Sequence, residues 1–206
     1  MSEQITYEII AAAISADNYR DRIEELAQNY PDYRLEEKLL PVEREIEYQT
    51  FTIDEVKTRV EEASDVRVTT ATSHILYPEV TEEIDAIVED FYKVTGLDYQ
   101  SCDLGFVLND LIVNATTHGC RRSEQGEVLA CEANLYTFWH DGVFYFAIED
   151  VGNGFNANVN GLDSVDRGNG LRYSRREVTH LYNSYLPEEG RWENVVYGII
   201  DPAKAS

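Results

Sequence analysis

The sequence predicts an α+β fold: a two-layer α/β sandwich with a mixed, mostly antiparallel sheet, preceded by an N-terminal helical extension. Three observations predict it. Apolar residues recur at helical spacing in two long stretches, 84–94 and 104–115. Aromatic and β-branched runs at 128–139 and 143–148 flank a His140-Asp141-Gly142 turn, the pattern of an antiparallel hairpin. Helices and strands do not alternate strictly, which argues against a doubly wound parallel sheet.

Residues 1–63 read as short helices joined by turns, and 64–206 as the main domain. Ile5, Ile9, Ile10, Ala13 and Ile14 repeat at helical spacing, Asp17 is placed to cap the next segment, and Pro31 and Pro41 punctuate the chain beyond it. Thr52 and Glu55 have capping-box spacing, and Val56 and Val60 give the helix after them one apolar face before Ser64. A β-rich run at 66–70 leads to Pro78, after which Ile84, Ile87, Val88, Phe91 and Val94 form a stripe ending at Gly96. Leu104, Val107, Leu108, Leu111, Ile112 and Ala115 fall on one face of a core helix, with Gly119 as its stop. Beyond the hairpin, a passage rich in Gly and Asn at 151–170 precedes a helical pattern over 171–182, and 195–200 reads as a closing strand.

With 43% hydrophobic and 27% charged residues, the 206-residue chain has the composition of a soluble globular protein. Its 39 acidic against 17 basic residues give a net charge of -22, which repels nucleic acid and anionic membranes, so neither is expected as a partner. A high-salt cytoplasm would account for the acidity as well as a binding role would. The apolar stretch at 9–14 is too short to span a bilayer and no basic segment precedes it, so a cytoplasmic location is expected. Cys102, Cys120 and Cys131 form an odd set without a CxxC pair, and buried reduced thiols are expected rather than a disulfide framework or a zinc site.

Three short segments could carry chemistry. Asp110 and Asn114 stand one helical turn apart, away from the main apolar stripe; an amide oxygen suits Mg²⁺, and a neighbouring carboxylate suits a hydroxyl proton or a metal-bound water. Polar residues on a solvated helix face would look the same. Asp150 follows a strand and precedes Gly152 and Gly154, so a carboxylate able to accept an amine proton sits beside backbone that admits a flat ring. The same spelling also makes an ordinary tight turn. Arg167-Gly168-Asn169-Gly170-Leu171 opens a helix whose free N–H groups could meet phosphates, although a structural helix entry uses the same residues.

Taken in order, "NDLIVNATTHG", "EDVGNG" and "RGNGL" resemble the N, G1 and G2 boxes of the gyrase, Hsp90, histidine kinase and MutL (GHKL) ATPase superfamily. Asn114, Ala115, His118 and Gly119 match the N box of its anti-sigma-factor serine kinases, E-A-x-x-N-A-x-x-H-G. The resemblance covers about 66–200 and implies a Bergerat-type ATP-binding fold with ATP and Mg²⁺ as cofactors. It implies that Asn114 holds Mg²⁺, Asp150 reads adenine, Gly152 and Gly154 shape its pocket, and Gly168, Gly170 and Leu171 wrap the phosphates. Asp110 stands where the family has its catalytic glutamate and is one methylene shorter, a departure that bears on phosphotransfer more than on binding. No histidine precedes His74, so a histidine-kinase phosphoacceptor is not expected.

The implied activity is transfer of the ATP γ-phosphate to a serine of a small antagonist protein, within a switch that also holds a sigma-factor-like partner and in which a homodimer is one arrangement. The alternative is a non-catalytic nucleotide-sensing or degenerate protein-binding module of the same fold. A third reading gives residues 1–63 a dimerisation or sensor role.

Overall fold

The computed structural model describes residues 7–14, 16, 18–39, 47–49, 53–72, 78–122, 127–152, 154, 156, 170–186 and 188–204. Helices α1 (Tyr7–Ile14) and α2 (Tyr19–Asn29) come first, followed by 3-10 turns at Pro31–Tyr33 and Leu35–Lys38. Strand β1 (Glu47–Gln49), helix α3 (Ile53–Glu62), strand β2 (Ser64–Ala71) and helices α4 (Pro78–Thr95) and α5 (Leu104–His118) come next. Strands β3 (Arg121–Arg122), β4 (Val128–Ala130), β5 (Ala133–His140) and β6 (Val143–Asp150) lead to helix α6 (Gly170–Glu177), strand β7 (His180–Leu186) and strand β8 (Arg191–Ile200). This is a mixed α+β architecture.

Six strands form one sheet in the order β1-β7-β8-β6-β5-β2, and β3 and β4 form a separate pair. All neighbours in the large sheet are antiparallel except β1 and β7, which run parallel. The β5–β6 hairpin turns at Asp141 (φ 51°) and Gly142 (φ 76°), with His140 opposite Val143. Positive φ at both central residues matches the right-handed twist of the strands, which is why Asp-Gly is favoured there.

Period-2 alternation decides which side chains meet the helices. Phe144, Phe146 and Ile148 of β6, Leu135 of β5, Leu181 of β7 and Val196 and Ile200 of β8 are buried against Ile84, Ile87 and Phe91 of α4 and the apolar face of α5. Leu104, Val107, Leu108 and Ile112 are fully buried, as the spacing of that helix predicts. On the other face Val56 of α3 packs with Tyr136, Phe138, Ala147, Tyr182 and Tyr197, so over this stretch the sheet is covered on both sides, a layer more than the sequence led us to expect.

The segment before residue 64 departs from a purely helical reading in two ways. It contributes β1 to the edge of the sheet. It also shares a core with the domain: Ile10, Ala13, Tyr19, Ile23 and Leu35 are buried with Tyr185 and Trp192 of β7 and β8, and the Ile14 carbonyl accepts from Trp192 Nε1 at 3.1 Å. Asp17 and Thr52, expected as caps, lie outside the described residues, as do Ile5 and Pro41.

Two further expectations are corrected. The run at 128–139 is not one strand: it breaks at Cys131–Glu132 into β4 and β5, and β4 pairs with β3 instead of joining the sheet. The helical pattern over 171–182 stops at Glu177, because His180 begins β7, whose residues 181–185 are all buried and, apart from Ser184 at a register shift, paired with β8. Pairing on a sheet overrides an apolar spacing that suits either state. Among the described residues no helix is long and apolar enough to cross a membrane.

Candidate functional site

Helix α5 carries the first group. Asn114 Nδ2 donates to Asp110 Oδ2 at 2.9 Å, the two side chains being half-buried neighbours one turn apart. Burial raises the Asp110 pKa above its ordinary value, opposed by the Asn114 hydrogen bond. Because the amide nitrogen is used in that bond, Oδ1 of Asn114 is the atom that could hold a hard cation. Among the described residues no cluster of three or more His, Cys, Asp or Glu side chains could hold a metal ion. A Mg²⁺ that keeps most of its waters and shares phosphate oxygens asks for only one or two such protein ligands, so this donor pair fits it.

The second group lies where β6 ends. Asp150 shares the parity of Phe144, Phe146 and Ile148, so its side chain turns toward α5 rather than toward α3. It is 7% exposed, and the Gly152 N–H donates to its Oδ1 at 2.8 Å. Its other oxygen faces Gly119, which follows the last residue of α5. A Cβ at Gly119 would stand 2.1 Å from both Cγ and Oδ2 of Asp150, and one at Gly152 would stand 3.0 Å from the Gly119 carbonyl oxygen. The carboxylate can occupy this place only because residue 119 has no side chain. Burial pushes the Asp150 pKa up to about 7, the Gly152 hydrogen bond pulls it down, and the nearby Glu149 charge adds a smaller rise.

Gly154 has φ 80° and lies against β8, where a Cβ would come 2.0 Å from the Trp192 carbonyl oxygen. The atoms nearest to it are backbone atoms of Trp192 and Glu193. Gly168, expected at the phosphates, lies outside the described residues, while Gly170 is the first residue of α6 and Leu171 packs against the main core.

Helix α6 is docked on α5 at two points. Glu177 Oε2 accepts from the Asp103 backbone N–H at 2.8 Å, and Tyr173 meets Phe106 edge to face with ring centroids 6.1 Å apart. The contacts run in opposite chain order, so the helices are antiparallel and the first turn of α6 continues past Phe106 in the direction of Asp110. The positive end of a helix is thereby directed toward the Asp110–Asn114 pair.

The structure thus joins Asp110 with Asn114, joins Asp150 with Gly152 and Gly119, and points Gly170 at the first pair. Sequence reasoning gave Gly119 as the stop of a core helix and matched it to the N box, but gave it no part in the site; its position one residue past that helix was the available signal. It also missed that Cys120 and Cys131 are bonded to each other, against the expectation of reduced thiols. Their separation of 11 residues resembles no redox or zinc motif, and only the fold brings their Cα atoms within 4.3 Å. The chain matches no protein-family model, no curated protein and no solved structure.

Proposed function

We propose that this chain binds Mg-ATP between α5, the end of β6 and the start of α6, in a two-layer Bergerat-type arrangement of the GHKL kind. The observation that carries the reading is the buried Asp150 carboxylate seated on Gly119, which brings together two of the three motifs that resemble that superfamily. Ionised Asp150 would accept the adenine amine, Gly152 and Gly154 would border the base, and Gly168, Gly170 and Leu171 would enclose the phosphates. Asn114 would hold Mg²⁺, which when bound neutralises phosphate charge.

The activity we infer is that of an anti-sigma-factor-type serine/threonine kinase acting in a cytoplasmic partner switch. Asp110 would orient or deprotonate the serine hydroxyl of a small antagonist protein, its raised pKa bringing it nearer to the range of an effective base. A second reading, a nucleotide sensor without turnover, is favoured by the engagement of the short Asp110 side chain with Asn114. Loss of about an ångström of reach costs on the order of a hundredfold in rate, enough to leave binding without catalysis.

Isothermal titration with ATP and Mg²⁺ tests the site. Micromolar binding, about 8 kcal/mol of free energy, is expected for the native chain and is expected to weaken in Asp150→Asn and Asn114→Ala. A well-folded chain that gives no heat and no signal in an independent binding assay would overturn the proposal. Mass spectrometry of a candidate antagonist after incubation with Mg-ATP separates the kinase from the sensor.

A further inference from the structure

We propose that Cys120 and Cys131 are a reversible dithiol–disulfide site that opens and closes a bracket around Asp150. The consequence for nucleotide rests on the function proposed above; the redox site itself does not. Cys120 follows Gly119, the residue against which the Asp150 carboxylate is seated. Cys131 lies two residues before Ala133, which is the register partner of Asp150 across β5 and β6. One bond between the two sulfurs therefore ties the end of α5, where Gly119 seats the carboxylate, to the start of the strand paired with Asp150. Without the bond, the end of α5 is held there by packing, by the Gly119 N–H donating to the Ala115 carbonyl at 2.9 Å and by the short pairing of Arg121 with Ala130 across β3 and β4.

The surroundings suit both redox states. In the bonded state the two Cα atoms stand 4.3 Å apart, at the short limit of the separations a disulfide spans. The Thr116 carbonyl oxygen lies 2.9 Å from the Cys120 sulfur and 3.0 Å from that of Cys131, so each thiol finds an acceptor once the bond is broken. Cys131 is half-buried and so the more open to attack, whereas Cys120 is 9% exposed. Cys102 is fully buried, and burial pushes its thiol up to about 12, which keeps it out of the exchange.

Exchange with a small disulfide such as oxidised glutathione balances without any further reagent. The Cys131 thiolate attacks one glutathione sulfur, forming a mixed disulfide and expelling one glutathione thiolate. The Cys120 thiolate then attacks the Cys131 sulfur and expels the second. Two protein thiols are oxidised, one glutathione disulfide is reduced to two thiols, and the two protons pass from the protein to the leaving thiolates.

The test uses the full chain equilibrated with oxidised glutathione or with dithiothreitol, then alkylated after denaturation and weighed. One alkylated cysteine of the three is expected in the oxidised sample and three in the reduced one. Three in both samples, or a persistent glutathione adduct, would overturn the site. Amide hydrogen exchange should slow on oxidation at Gly119–Cys120 and at Val151–Gly152 in the native chain and remain unchanged in Cys131→Ser; equal exchange in both redox states would overturn the bracket. ATP should bind about fivefold or more tightly to the oxidised chain, the low end of ordinary coupling between sites. Absence of ATP binding in both states would strike the nucleotide proposal alone, since the mass and exchange measurements decide the redox site by themselves.

Discussion

Replacing Asp150 by Asn should stabilise the folded chain at neutral and alkaline pH while abolishing its proposed ligand contact. Burial holds the Asp150 carboxyl near 7 in the folded chain against an ordinary 3.8. Between those values the folded state binds a proton that the unfolded state has released. Stability from this group is therefore complete below the unfolded value and is lost as pH rises through about 7. The whole gap of 7 minus 3.8 corresponds to about 4 kcal/mol, and the part that falls between pH 5 and pH 8.5 to about 3 kcal/mol. Asn keeps an oxygen for the Gly152 N–H and has no charge to desolvate. Urea titrations of the native chain and of Asp150→Asn at several pH values should thus show a stability difference that moves in favour of the variant as pH rises, levelling above pH 7. In melting temperature the change is roughly 6–12 °C for a chain of this size. The comparison cancels the general loss of stability that a net charge of -22 also produces as pH rises. A difference independent of pH would refute the argument, because it would mean that the carboxyl titrates alike in folded and unfolded chains.

The same titration bears on ligand binding: ATP affinity, measured calorimetrically, should fall below pH 7 and approach a tenfold loss per pH unit, the opposite sign from the stability effect. Gly119→Ala should cost about 1–3 kcal/mol in denaturant unfolding, because its Cβ would stand 2.1 Å from the carboxyl carbon of Asp150. Adding Asp150→Ala to that variant should recover only part of the loss, since the Ala115 carbonyl oxygen would still lie 2.5 Å from the new methyl. Ile23→Ala should cost about 2–5 kcal/mol and red-shift the fluorescence of Trp192, which is buried in the same cluster; an unchanged spectrum would mean that the N-terminal helices do not cover the sheet in solution.

How much of this was legible in the sequence depended on whether the cause was local. Helix α5 was readable because six apolar residues on one face leave few alternatives, and the hairpin because Asp141-Gly142 suits a turn with two positive φ angles. The candidate residues could be singled out for a similar reason, each motif being contiguous. What failed depended on distant partners. His180 to Tyr182 looked helical until β8 pairs with it, and β1 could not be foreseen because its partner β7 lies more than 130 residues away. The bonding of Cys120 to Cys131 depends on where α5 ends and β5 begins, which the chain between them does not encode. Burial of Asp150 depends on strand parity and on Gly119 together, so neither residue alone announced it.

That last pairing bears on why the carboxylate is there at all. An Asx turn closing on the Gly152 N–H needs an acceptor oxygen, and Asn or Ser would supply one without a charge. The fold instead places an ionisable group in a nearly closed position and keeps residue 119 without a side chain to make room for it. Both features work against stability, the first through desolvation and the second through the freedom of glycine in the unfolded chain. Neither is required by the turn or by the sheet, whose hydrogen bonds continue through β5 and β8 on either side. Departures of this kind, where local economy is broken at two residues that touch, are expected where a group is kept for what it binds. A partner that donates to Asp150 would draw out the ionised form and offset the desolvation, and the adenine amine is a donor of that kind.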